Sequence, residues 1–402
     1  MKTLRPAPGV TRNALFWLSS FLLAALMGLA APAAHADTVL PDTIGVGGSP
    51  RRLAVTPDGK AVYVVNNTGG SVSVIDADPA SPHFNTLIIF SIYVGYALDS
   101  IAITPSGYAY VVMQGGLVKV IDTNRASPAY NTIIAEITIT ALGTIYAAEV
   151  AITPDGKRAY VTNHTAHTMS VIDTDPASPT WNTIIATITD AEGLSPNPYG
   201  LAIAPNGLAY VADYFTPTIS VIDTNPASPA YNTVVRSYAD PSGLGHGSSQ
   251  VATSPDGRYV YVGTWAANSV SVIDTVAGTS SRVDIGSASV GLAVTEDGKY
   301  VYVAAYSTNS VQVVDTGSNT VIDTLPVGRG TYGVTINKCY VYAANSVDNT
   351  VSVIERSGNC SGGGGGIGGG GAAPIPALHE TALTLLALLL AGGAAAALRR
   401  GR

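Results

Sequence analysis

Ala151-Ile-Thr-Pro-Asp-Gly-Lys-Arg-Ala-Tyr160-Val-Thr-Asn163, followed by Met169-Ser-Val-Ile-Asp-Thr174, is the stretch whose recurrence decides the fold. Its closing Val-Ile-Asp, or a variant of it, returns at Asp76, Asp122, Asp173, Asp223, Asp274, Asp315 and Glu355, in steps of 46, 51, 50, 51, 41 and 40 residues. A repeat of this length holding several short strands predicts the blades of a β-propeller rather than the coils of a solenoid. Plentiful Tyr, Val, Ile and Thr, with Gly and Pro spread throughout, agree with an all-β chain.

Each unit reads as four strands. The first is short and apolar, as in Leu53–Val55, Leu201–Ile203 and Leu292–Val294. A Thr-Pro-Asp-Gly type of turn follows (Thr56–Gly59, Thr153–Gly156, Ser254–Gly257), in which Pro presets φ and Gly takes a positive φ. The second strand, as in Tyr63-Val-Val65 or Tyr160-Val-Thr162, is apolar on both faces and so suits a sheet packed between two others. The third alternates, as in Ser71-Val-Ser-Val-Ile-Asp76, and the fourth is Thr183–Ile188 and its equivalents. Taken in phase from Asp37 to about Arg356, with Tyr160-Val-Thr-Asn163 a literal match, these residues make the chain similar to the YVTN-repeat β-propellers.

The last unit supplies only three strands before Arg356-Ser-Gly-Asn-Cys360. The missing one reads at the other end, because Thr38-Val-Leu-Pro-Asp-Thr-Ile-Gly-Val-Gly47 parallels Thr320-Val-Ile-Asp-Thr-Leu-Pro-Val-Gly328. Residues 38–44 are therefore expected to complete the seventh blade and remove the open edge. Both cysteines fall at this seam. A hairpin centred near Val347-Asp348 would set Cys339 opposite about Ser357, close to Cys360, so a disulfide between them is expected, worth roughly 3 kcal/mol.

The expected layout is a signal peptide (1–36), the propeller (37–360), a glycine-rich linker (361–373) and a C-terminal segment (374–402). A basic start, the apolar run Ala14–Ala31 and the small residues of Ala34-His35-Ala36 predict cleavage by signal peptidase between Ala36 and Asp37. At the other end the apolar run Thr381–Leu398 precedes Arg399-Arg-Gly-Arg402. As a helix it would span about 27 Å, near the thickness of a hydrocarbon core. With Ile375, Pro376, Leu378 and Glu380, this tail resembles the IPTL-type sorting signals of exported Gram-negative bacterial proteins, with Ala377 in place of the family's Thr. The resemblance implies a transmembrane helix, processing by an exosortase-like enzyme, and delivery to the cell surface or the medium; a permanent anchor is the alternative.

The net charge is -7, and setting aside six bases and one acid in the end segments leaves 14 bases and 26 acids, or -12, for the body. An acidic body disfavours nucleic acid as a partner.

By analogy with other propellers, ligand contacts are expected on the face holding the loops between blades and between second and third strands. That face includes Arg51, Arg52, Asp99, Glu149, His164, His167, Tyr199, Asp213, Tyr214, His246, Gln250, Trp265, Tyr306 and Tyr332. Arg51 and Arg52 are expected to neutralise Asp99 and Glu149 at the channel mouth. Four units carry an added loop with Ala-Ser-Pro and an aromatic (Phe84, Tyr130, Trp181, Tyr231), read as turn chemistry and packing. No nucleophile elbow, P-loop or dinucleotide fingerprint occurs, and no resident metal or cofactor is expected. The leading expectation is a non-enzymatic binding or interaction scaffold with an unknown protein or small-molecule ligand. Some propellers of similar repeat type are lactonases or quinone-dependent dehydrogenases. That alternative would require a metal or cofactor at the mouth, held by Glu149, His164, His167, Asp213 or His246. A third is a structural envelope component.

Overall fold

The computed structural model describes residues 36–139, 146–239 and 247–357. Apart from the 3-10 turn Asp190–Glu192, the regular structure of these residues is β. It forms seven antiparallel sheets. In the first blade the strands run Pro50–Val55, Ala61–Asn66, Ser71–Asp76 and Leu87–Tyr93, and the next five blades repeat this order. The first strands contact one another in succession, and Thr331–Asn337 of blade seven returns to Pro50–Val55 of blade one. The ring is a seven-bladed propeller with the first strands innermost.

Closure follows the expectation. Thr38–Val39 and Ile44–Gly45 both pair with Thr350–Glu355, so the N-terminal segment is the outer strand of blade seven, interrupted at 40–43. In the blade-seven hairpin Tyr340 faces Glu355, and the Cys339 carbonyl accepts the Arg356 N–H. Cys339 therefore faces Arg356, one residue short of the expected Ser357. Cys360, and with it the expected disulfide, lies outside the described residues. The same holds for the leader up to residue 35 and for the motif Ile375, Pro376, Leu378 and Glu380. Among the described residues no helix is long and apolar enough to cross a membrane.

The second strands explain why the repeat is so apolar. Tyr63, Tyr110, Tyr160, Tyr210, Tyr261, Tyr302 and Tyr342 are all fully buried, each in one of seven cores that lie between neighbouring blades. A strand covered on both faces needs apolar groups at odd and even positions alike. Truncating one such aromatic to Ala would cost about 3–5 kcal/mol.

These tyrosines also account for the added loops. The hydroxyl of Tyr110 donates to Asn182 Oδ1 at 2.6 Å and that of Tyr160 to Asn232 Oδ1 at 2.6 Å. Tyr342 reaches Asn85 at 2.9 Å, and Tyr63 bonds Asn131. In every case the acceptor sits in the loop of the next blade. Those four Asn residues hold φ near 60°, a left-handed conformation that Asn tolerates better than most residues. Phe84 packs on Tyr340 and Trp181 on Tyr108 across the same seams, at 4.9 and 5.2 Å between centroids. The loops thus latch blade to blade, which goes beyond the expected covering of outer strands. Between blades six and seven, Tyr302 bonds Asp37 of the closing segment instead.

Candidate functional site

The loops between blades and the tips of the second hairpins meet on one face, the mouth. Close approach of the innermost strands sets its geometry. A Cβ on Gly333 would lie 2.1 Å from the Arg51 carbonyl oxygen, so only Gly lets blade seven abut blade one there. This contact fixes the backbone from which Arg51 and Arg52 project.

Arg52 crosses the axis. Its Nη2 donates to Glu149 Oε2 of blade three at 3.1 Å; its Nη1 donates to Gln250 Oε1 of blade five at 3.1 Å and to the Val290 carbonyl of blade six at 3.3 Å. Arg52 and Glu149 are 7% and 5% exposed, so the pair is a buried plug that closes the tunnel. The second oxygen of Glu149 accepts the Ser100 hydroxyl at 2.5 Å. Burial pushes the Glu149 carboxyl above its ordinary range, and the Arg52 charge and the Ser100 bond offset this only in part. Beside the plug, Arg51 Nη1 donates to Asp99 Oδ1 at 2.5 Å, and Gln114 Nε2 donates to Asp99 Oδ2 and to the Tyr146 hydroxyl, both at 2.8 Å. Neutralisation of the two arginines by Asp99 and Glu149 is as the sequence suggested.

Above the plug lies a cup of about 350 Å³, lined by Ser49, Arg51, Arg52, Tyr199, Tyr214, Gly247, Trp265, Val290, Tyr306, Tyr332 and Ser346. Its size falls in the range of small-molecule sites. Trp265, Tyr306 and Tyr332 form one run of rings, with centroids 5.1 and 6.3 Å apart. The guanidinium carbons of Arg51 and Arg52 lie 5.2 and 5.7 Å from the Tyr332 centroid, a cation–π arrangement. Tyr199 and Tyr214, 5.2 Å apart, add two more rings to the lining from blade four. Burial raises the Tyr199 phenol well above its ordinary pKa, so it stays protonated at neutral pH.

The expected residues therefore divide. Arg51, Arg52, Tyr199, Tyr214, Trp265, Tyr306 and Tyr332 line the cup, while Asp99, Glu149 and Gln250 support its floor. Asp213 is structural: its carboxylate accepts the backbone N–H of Asn197, Phe215 and Thr216 at 2.7–2.9 Å and so shapes the loop carrying Tyr214. His167 is exposed, with its Nδ1 against the Pro196 carbonyl. His164 stands behind the Tyr199–Tyr214 wall. His246 lies outside the described residues. Glu149, His164, His167 and Asp213 are not brought together as a metal-ligand set, and no group of three or more His, Cys, Asp or Glu among the described residues is. Glu149, His167 and Asp213 already serve their own loop or pair.

Sequence reasoning missed Tyr146, Gln114 and Ser100, which hold the floor, and Ser49, Val290 and Ser346 in the lining. Their positions in phase, beside Asn66, Tyr199 and Asn345 or their equivalents, were the available signal.

Comparison with known proteins adds a chemical direction. Residues 218–345 match the cytochrome D1 heme domain family. Among solved structures, the chain is similar to Kuenenia stuttgartiensis hydrazine synthase, with a TM-score of 0.65 and 21% identity over 82% of this chain and 99% of that one. At that identity the likeness shows the shared propeller. No curated protein matches the chain. The family match corrects the expectation of a non-enzymatic scaffold with an unspecified ligand and favours the alternative, a cofactor-dependent protein working at the central mouth.

Proposed function

We propose that this propeller binds heme in the aromatic cup and supports redox chemistry there. The observation that carries the reading is an overlap: Gly247, Trp265, Val290, Tyr306 and Tyr332, five of the eleven lining residues, fall inside the segment matching the heme domain family.

The lining suits such a group in two respects. Trp265, Tyr306, Tyr332, Tyr199 and Tyr214 would offer flat apolar faces to a macrocycle. Among the described residues Arg51 hydrogen-bonds through Nη1 to Asp99, and the rest of its five N–H donors would serve carboxylate arms. Bound heme would supply the electron-transfer couple that side chains lack. The protein's part is to bind, orient and exclude water. The aromatic side chains would keep solvent from such a group, Arg51 would hold a carboxylate of it, and the Arg52–Glu149 pair closes the floor beneath. The floor is neutral because both arginines are paired, so it adds no net charge beneath the bound group.

Hemin titration of the full-length protein tests this. Saturation at one equivalent is expected, with Trp265→Ala and Arg51→Ala each weakening binding about tenfold, some 1.4 kcal/mol. Hemin binding that both variants leave unchanged would put the group elsewhere and overturn the assignment.

We also propose that the chain is an exported member of the YVTN-repeat propellers, directed to the cell surface or the medium. The in-phase repeats, Ala34-His35-Ala36 and the Ile375-Pro376 tail support this. Signal peptidase and an exosortase-like enzyme are the processing partners, and the membrane is a station by way of residues 374–402. Mass spectrometry of the recovered protein is expected to find Asp37 first and no Arg402; an intact Met1 or Arg402 would sink the processing scheme.

A further inference from the structure

We infer that the outer flank of blade one is a docking surface for a second copy of this chain. Its outer strand, Leu87–Tyr93, ends the blade-one sheet and pairs on one side, with Ser71–Asp76. Phe90 is 61% exposed, Tyr93 62% and, in the loop just beyond, Tyr96 71%, with Ile88 also exposed on the strand. Tyr93 and Tyr96 meet edge to face, with centroids 6.2 Å apart. Single exposed apolar residues are ordinary on a surface, but large ones grouped this closely are what interaction sites show.

The other outer strands are guarded. Glu136 interrupts the one in blade two, Arg236 the one in blade four, Arg282 and Asp284 the one in blade five and Asp323 the one in blade six; Asp42 sits between the two pieces of the closing strand. Blade three's, Ile184–Ile188, is also uncharged, but it exposes Ile185 alone and runs into the acidic turn Asp190–Glu192. Charge on an edge strand is a common defence against association. Blade one gives it up over the whole of Thr86–Leu98. The loop carrying Tyr96 is also fixed. The Gly70 carbonyl accepts the N–H of Val94 and of Gly95, and the Asn67 carbonyl accepts that of Ala97, which holds a φ of 58°. A left-handed Ala is strained; here it holds Tyr96 outward, so that no free loop has to be ordered on binding.

Charge and area select the occupant. The body is acidic, so an anionic lipid surface is repelled, and a strongly charged protein would find nothing on this flank to pair with its charges. Two copies approach at least cost where neither carries charge. A neutral aromatic face is also its own complement, as a two-fold, isologous contact requires. Aromatic side chains offer about 150–250 Å² each, so three rings exposed by three-fifths or more, with Ile88, give roughly 450 Å² a side and about 900 Å² for the pair. Specific interfaces begin near about 1,000 Å². The groove of about 540 Å³ between this blade and the closing strand, lined in part by Leu87, Phe84, Leu40 and Ile44, continues the apolar surface and carries the contact to that size. Backbone pairing does not drive it. The register with Ser71–Asp76 shifts between Val72 and Val74 and again between Val74 and Ile75, and such bulges bend an edge out of ladder geometry. The two copies pack by side chains into a weak, reversible dimer.

Sedimentation of the full-length protein over a concentration series reads the contact directly. Wild type is expected to pass from monomer to dimer in the micromolar range. Phe90→Lys and Tyr96→Lys are each expected to raise the dissociation constant about thirtyfold, the effect of one hot-spot residue. Their unfolding midpoints should match wild type, because both side chains are exposed. Ser91→Cys, on this strand, should cross-link the dimer under mild oxidation, whereas Ser237→Cys, equally exposed on the charged outer strand of blade four, should not. Four results overturn the proposal. Wild type that stays monomeric has no such contact, and a dimer that both lysine variants leave intact assembles through another surface. Equal cross-linking at Ser91→Cys and Ser237→Cys reports random collision. A monomer that binds vesicles of neutral lipid, and loses that binding in the lysine variants, makes the flank a membrane face instead.

Discussion

Asp173 and Glu149 are both buried acids beside an arginine, on opposite faces of the ring, and their environments push them in opposite directions. Asp173, on the face of the Thr-Pro-Asp-Gly turns, is pulled upward by burial. The Ser178 and Thr180 hydroxyls, the Asp175 N–H and the Arg158 charge outweigh that and hold it below its ordinary value. Glu149, at the mouth, has fewer bonds and no solvent, and burial wins. The turn face is built of short local motifs that satisfy their own charges, and it repeats. The mouth depends on the Arg52 side chain reaching across the axis to side chains of blades three and five and a carbonyl of blade six, and it does not repeat. Regularity marks the scaffold here, and its loss marks the site.

The comparison breaks most visibly at the plug. Glu149→Ala would leave the Arg52 charge buried and unpaired, and is expected to lower the free energy of unfolding by about 3–5 kcal/mol. The double variant Arg52→Met/Glu149→Leu should regain most of that loss in denaturant titrations, since an apolar pair avoids the desolvation cost. A double variant as unstable as the single one would mean the floor does more than fill the tunnel.

Acid titration examines the opposite face. A carboxylate whose folded pKa is depressed stabilises the protein above its unfolded value, near 4, and the contribution is lost as pH falls toward the folded value. Denaturation midpoints should therefore drop between about pH 4 and pH 2. Asp274, held at about 2 by the Arg258 hydrogen bonds, sets the lower end of that window, and Asp173 is lowered in the same direction. Asp173→Asn should lower the midpoint at pH 7 and flatten part of the acid slope; an unaltered slope would show that the local bonds do not set it. Glu149 carries the reverse sign. Its raised pKa makes protonation favour the folded state, so its contribution declines as pH rises above about 4.3, its unfolded value.

The smallest effect separates latched from unlatched seams. Tyr110→Phe removes the bond to Asn182 and is expected to cost about 1 kcal/mol. Tyr261→Phe, at the seam between blades five and six, should cost close to nothing, because its hydroxyl meets no such loop. Equal costs at the two positions would demote the added loops from latches to ornaments.

Much of this architecture is written locally. The Tyr of each second strand, the Pro-Asp-Gly turns and the parallel between Thr38–Gly47 and Thr320–Gly328 act over a few residues, and their spacing counted seven blades and located the closing strand. Even the neutralisation of Arg51 and Arg52 was legible, because the acids sit at the same phase of the next two repeats. The loop aromatics illustrate the limit. Trp181 and Phe84 belong to turn motifs by sequence, yet they pack on Tyr108 and Tyr340, each one blade back, the second of them across the seam that closes the ring and far away in sequence. A period in sequence says that neighbours stack; it does not say which side chains meet across the seam.

By itself, then, the sequence determined a closed ring of seven four-stranded sheets and the face on which its variation lies, because strand alternation and turn chemistry are short-range. Tertiary structure alone decided that Arg52 seals the tunnel, that five aromatic side chains from blades four to seven make one cup, and that His164 stands behind its wall with a nitrogen unpaired. Those are properties of side chains from distant blades converging on an axis, where distance, burial and competing partners, rather than residue type, decide what each group is free to do.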